Sequence, residues 1–98
     1  MDNQCNKLGE RLRELRAELG DTVRGFAVRI GKTPGYVSQI EVRGEIPAPD
    51  LLCRIADIHE INPEELLQLA KGDQVARTSK AIDKKHESAI KLYRKEKP

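Results

Sequence analysis

The stretch Thr33-Pro34-Gly35-Tyr36-Val37-Ser38-Gln39-Ile40-Glu41 joins a helix start, two apolar anchors and an outward polar face in one short segment. Thr33 can cap a helix by accepting a hydrogen bond from an unpaired backbone N–H, and Pro34 suits the first helical position, where no N–H is needed. Val37 and Ile40 share a face, which turns Tyr36, Ser38 and Gln39 elsewhere. The chemistry on offer is hydrogen-bonded recognition, not bond making. Cys53 and His59 are the closest thiol and imidazole, but six residues of helix rotate one from the other by about 600°, onto nearly opposite sides. They make a poor nucleophile and base. No glycine-rich phosphate loop or carboxylate cluster accompanies them, so the expectation is a non-enzyme with no cofactor. Cys53 is then expected as a small buried core residue, with His59 and His86 exposed.

A helix as short as the one after Thr33 does not persist on propensity alone, so its neighbours must hold it. A chain of 98 residues is long enough for one core. Aromatic residues are only 3% and charged residues 35%, without alternating β-branched runs, which points to an all-α fold. Residues 1–70 hold nine basic and twelve acidic side chains, whereas residues 71–98 hold nine basic and four acidic. Within the acidic portion Arg24, Arg29, Lys32 and Arg43 surround the Thr33 segment, and Glu45, Asp50, Asp57, Glu60, Glu64 and Glu65 follow it. A local basic surface of this kind still attracts phosphate within about 8 to 10 Å. Cys5 and Cys53 have no metal-ligand spacing and suggest reduced thiols. The polar N-terminus lacks a signal-peptide core and no run is long enough for a membrane span, so a soluble, cytoplasmic protein with no membrane partner is expected.

Residues 1–7 are expected as a flexible N-terminus. Leu8, Leu12, Leu15 and Leu19 then form a helical stripe closed by Gly20. Asp21-Thr22 caps a second helix with Val23, Phe26, Ala27 and Ile30 inward, ended by Gly31. Only Gly31-Lys32-Thr33 separates it from the next helix, a turn short enough to force a sharp corner and to require a small Ala27 at the crossing. After Glu41 the residues Val42 to Pro49 contain one glycine and two prolines and predict a loop. A fourth helix starts at Pro49-Asp50 with Leu51, Leu52, Ile55 and Ala56 inward, and a fifth at Asn62-Pro63-Glu64-Glu65, with Glu65 at the capping-box position. Lys71-Gly72-Asp73 breaks the pattern. Beyond it a sixth, basic amphipathic helix carries Val75, Ile82, Ala89, Ile90 and Tyr93 roughly along one side.

These blocks together resemble the Cro and phage-repressor class of helix-turn-helix DNA-binding proteins, often called Xre-like, over residues 8–70. The carriers are Leu8-Gly9-Glu10-Arg11-Leu12-Arg13-Glu14-Leu15-Arg16, Phe26-Ala27 four residues before Gly31, Tyr36-Val37-Ser38-Gln39-Ile40-Glu41, the proline-containing loop, and Asn62-Pro63-Glu64-Glu65-Leu66-Leu67. The resemblance implies a compact five-helix domain whose recognition helix, at about residues 33–41, enters the major groove of double-stranded DNA, usually as a homodimer on a two-fold related operator. A repressor is the function it implies. Residues 71–98 would then be a basic C-terminal helix or tail, a candidate dimerisation or partner element.

Carried over position by position, the resemblance makes Pro34, Gly35, Ser38 and Gln39 the residues facing base edges. Gln39 is the strongest of these, since its amide donates and accepts together in the pattern adenine presents, worth about 1 to 3 kcal/mol of discrimination. Arg24, Lys32 and Arg43 suit phosphate contact, with Thr22, Thr33 and Tyr36 on the backbone side. The arginine near the end of the first helix and the glutamate ending the recognition helix form a structural pair in similar proteins, here Arg16 and Glu41. Val23 stands where the class commonly has a glutamine that touches phosphate, and Pro34 and Gly35 offer no side-chain hydrogen bond, so direct readout should be thin. Two alternatives follow: a protein-interaction module on a degenerate helix-turn-helix fold, or an antitoxin-like regulator whose tail grips a small protein partner.

Overall fold

A computed structural model describes residues 6–96. Cys5 and most of the N-terminal segment expected at residues 1–7 lie outside the described residues, as does the side chain of Tyr93. The described residues form five helices and no strand: α1 (Lys7–Glu18), α2 (Val23–Ile30), α3 (Pro34–Arg43), α4 (Pro49–Ile58) and α5 (Pro63–Glu96).

Most helix starts have a local cause. The Thr22 hydroxyl accepts from the Gly25 N–H at 3.0 Å, and Thr33 from the Tyr36 N–H at 3.1 Å. Proline occupies the opening position of α3, α4 and α5. Asn62 accepts from the Glu64 N–H at 3.0 Å, while Glu65, instead of folding back to complete a capping box, reaches Arg11 on α1 at 3.3 Å. Helix α1 is different. Its local cap residue Asn6 makes no side-chain cap bond, and the N–H groups of Lys7 and Leu8 each donate at 3.0 Å to the carboxylate of Asp73, far along α5.

The apolar stripes converge on one core. Leu8, Leu12 and Leu15 of α1 meet Phe26, Ala27 and Ile30 of α2, Val37 and Ile40 of α3, four residues of α4, and Leu66 and Ala70 of α5. Gly31, at φ 70°, turns the chain between α2 and α3, a left-handed conformation that glycine adopts without strain. Ala27 is fully buried at this crossing.

Elsewhere in the helices the structure departs from the expected pattern. Helix α3 continues through Val42 and Arg43 and stops at Gly44, φ 76°, so it is two residues longer than the expected segment. Leu19 is exposed: α1 ends at Glu18, which leaves Leu19 as its cap, and the left-handed Gly20 turns the chain immediately after it. Cys53 is exposed, not buried: Leu51, Leu52, Ile55 and Ala56 take the inner face of α4 and leave Cys53 outside. Finally, no break interrupts Lys71-Gly72-Asp73. Helix α5 runs 34 residues without interruption, so the expected sixth helix is its second half. Gly72 has open space around it, and Asp73, which would otherwise compete for its own backbone, is turned into α1 instead.

The continuous helix sets the shape. The molecule measures 63 × 24 × 19 Å, and its radius of gyration of 17.7 Å exceeds the roughly 13 Å of a compact chain of this length. From residue 74 onward α5 leaves the core, and nearly every described side chain on it is exposed.

Candidate functional site

The outer face of α3 is built by the same residues that anchor its inner face. Val37 and Ile40 are buried, so positions about two residues from them, on the other side of the helix, must face out. Pro34, Gly35, Ser38 and Gln39 are all exposed and lie together on this face. Val42 falls in line with Gly35, Ser38 and Gln39 and is 70% exposed. Val42, expected in a loop, is brought onto the presented face by the longer helix. A Cβ added to Gly35 would meet nothing nearer than the Thr33 hydroxyl at 3.9 Å. The fold therefore does not require glycine there.

Around this face stand the expected backbone-contacting residues. Thr22, Arg24, Lys32, Thr33 and Arg43 are exposed, and Tyr36 is partly buried. Thr22 and Thr33 spend their lone pairs on capping, which leaves each hydroxyl hydrogen able to donate. The Lys32 ammonium lies 5.3 Å from the centre of the Tyr36 ring, a cation–π contact joining the two. Burial, reinforced by the negative charges of Glu45 and Asp50, raises the Tyr36 phenol above its ordinary pKa. Tyr36 thus stays a hydrogen-bond donor at neutral pH. Arg29 is engaged elsewhere: its Nε and Nη2 donate to the Asp21 carboxylate at 2.7 and 3.0 Å, and this pairing holds the Asp21 carboxyl below the usual carboxylate range. Val23, partly buried against the core, offers no polar contact.

One charged cluster fixes the angle of α3. Arg16 on α1 donates through Nε to Glu41 Oε2 at 2.8 Å and through Nη2 to Oε1 at 3.0 Å, a two-pronged pair. Its Nη1 donates to the Asp21 backbone carbonyl at 2.8 Å, tying in the α1–α2 turn. Arg13 adds a longer contact to Oε1 at 3.5 Å. The Glu41 side chain is only 3% exposed and that of Arg16 18%. Hydrogen bonding to Glu41 is the main reason the Arg16 pKa is raised further.

Several contributors carry no signal in the sequence. The Asn6 amide donates to the Glu41 carbonyl at 3.2 Å. Gly9 is buried, and a Cβ there would overlap the Asn6 side chain and lie 2.5 Å from the Ile40 backbone carbonyl, so α1 and α3 approach each other only because this residue is glycine. Gly9 sits in the first helical block, but an isolated glycine in a helix pattern carries no mark of what it faces. Asp73 was legible only as a helix breaker.

Away from this face, Cys53 and His59 remain apart in role. His59, expected exposed, is partly buried with its ring 5.8 Å from that of Phe26, and its Nε2 is buried with no hydrogen-bond partner among the described residues. Burial lowers its pKa, partly offset by Glu18. Among the described residues no helix is long and apolar enough to cross a membrane.

A family model described as a helix-turn-helix domain matches residues 7–69, well over half of the chain. No curated protein and no solved structure gives a match.

Proposed function

The chain belongs to the helix-turn-helix domain family of DNA-binding, typically non-enzymatic regulators, and on that premise we propose that it is an intracellular transcriptional repressor acting as a homodimer on a two-fold related operator. The observation that carries this reading is the outer face of α3, exposed along Pro34, Gly35, Ser38, Gln39 and Val42 while its inner face and Glu41 are locked to the core.

In this reading α3 enters the major groove. Gln39 pairs with an adenine edge, Ser38 adds a less selective hydrogen bond, and the Val42 methyl groups suit a thymine methyl. Pro34 and Gly35 let the duplex come close without polar side chains of their own. Arg24, Lys32 and Arg43, with the hydroxyls of Thr22, Thr33 and Tyr36, contact phosphates and set the register. The Arg16–Glu41 pair transmits no sequence information; it holds the angle at which α3 is presented. Dimerisation places two recognition helices about 34 Å apart in successive grooves, and occupancy of the site blocks transcription. Val75, Ile82 and Ala89 on α5, each seven residues from the last, supply a seam for the second copy.

Titration of a random-sequence duplex against salt tests the reading. Binding should weaken steeply as salt rises, because each phosphate contact releases counterions, and Arg43→Ala should weaken binding to all sequences alike and flatten that dependence. No binding at about 50 mM salt would contradict it and favour a protein-interaction role.

A further inference from the structure

The helix-turn-helix portion is short of positive charge, since residues 1–70 carry nine basic and twelve acidic side chains. The missing cations lie on α5. Arg77, Lys80, Lys84 and Lys91 follow one another at steps of three, four and seven residues, which puts them on one helix face; Glu87, three residues after Lys84 and four before Lys91, borders that face, and Asp83 lies further round. This line continues the face that holds Leu66 and the buried Asp73, so it leaves the domain on the side that faces the core. Its starting point is anchored: the Arg77 guanidinium packs so closely on Gly44 that a Cβ there would lie 2.5 Å from Nη2. Gly44 closes α3 and adjoins Arg43. The exposed apolar residues Val75 and Ile82 fall on the opposite side of α5. A second copy seated on them would not cover the cations.

We propose that this basic face of α5 is a second DNA-binding surface, which grips the phosphate backbone beside the stretch occupied by α3. It rests on the DNA-binding reading above. From Arg77 to Glu96 the helix extends about 30 Å, the length of eight or nine base pairs, so the protein covers more duplex than α3 and its neighbours span alone. The position favours nucleic acid over an acidic protein, because the line of cations begins against the residue that closes α3, next to the expected phosphate contact Arg43. Most of the salt-dependent affinity then comes from the tail, while sequence preference stays with α3.

The test uses the full chain and two random-sequence duplexes, of about 12 and about 40 base pairs, titrated across a range of salt. Arg77 and Lys80 also engage groups on the protein itself, so the substitutions fall on the exposed Lys84 and Lys91. The double variant Lys84→Gln, Lys91→Gln should bind the long duplex roughly tenfold or more weakly near 0.1 M salt and lose about two units of salt slope. On the short duplex its deficit should shrink. The double variant Lys84→Arg, Lys91→Arg, which keeps both charges, should retain the wild-type slope. Equal slopes for wild type and the glutamine variant on the long duplex would overturn the inference and leave the stripe to an acidic protein partner. A wild-type chain that binds neither duplex would overturn the DNA-binding reading itself, so the two failures are distinguishable.

Discussion

Glu41 concentrates much of what positions α3: it accepts from Arg16 twice and from Arg13 once, in a setting that leaves its side chain 3% exposed. Removing one partner of so buried a pair strands the other charge, so Glu41→Ala should lower stability by about 3 kcal/mol or more in urea unfolding. Replacing both partners with apolar residues, Arg16→Met with Glu41→Leu, should recover part of that loss. His59 makes a second prediction. Its folded-state pKa lies below its ordinary value of about 6.5 because burial opposes the charged ring. The unfolded chain therefore takes up that proton more readily. The contribution of His59 to stability is full above about pH 6.5 and is lost as pH falls through the folded-state value, and His59→Phe should flatten this dependence in thermal melts. At this scale the Arg16–Glu41 pair was expected only through the resemblance to the phage-repressor class, since no local pattern links two residues 25 positions apart. The sequence misled for Cys53 and His59, whose sides are decided by which residues of α4 the core has already taken.

At the level of elements, glycines with different surroundings make contrasting predictions. Gly9 lies against the Ile40 carbonyl, so Gly9→Ala must push α1 and α3 apart and should cost about 1 to 3 kcal/mol. Gly35 has open space, and Gly35→Ala should leave the fold intact or stabilise it by up to about 1 kcal/mol, while changing the fit to DNA. Unfolding curves and affinities measured on the same two variants separate these effects. Asp73→Ala should deprive α1 of the acceptor for two N–H groups and cost about 2 kcal/mol, visible in unfolding curves. Helices α2, α3 and α4 were legible because their caps, prolines and apolar faces are local. The long α5 was not, since Gly72 and Asp73 look like punctuation until α1 is placed beside them. The end of α3 was missed by two residues because Val42 and Arg43 precede a glycine and two prolines, and the sequence does not show at which of these the helix stops.

On the scale of the whole molecule, an acidic globular end carries a basic helix that projects from it, and in the proposed reading the two share the binding of DNA. The division explains how a chain with a small net charge can bind a polyanion: attraction is local and arranged along one side. It also places Val75 and Ile82 of α5 away from the line of Arg77, Lys80, Lys84 and Lys91, so a second copy seated on them leaves that line open. The direct check of the central claim, that α3 reads DNA through Gln39, is selection of binding sites from random duplexes with the purified chain and with Gln39→Ala. The wild type should enrich a two-fold related sequence, and Gln39→Ala should relax the preference at one base position in each half-site while leaving the rest. No enrichment by the wild type, or an identical profile from Gln39→Ala, would contradict it.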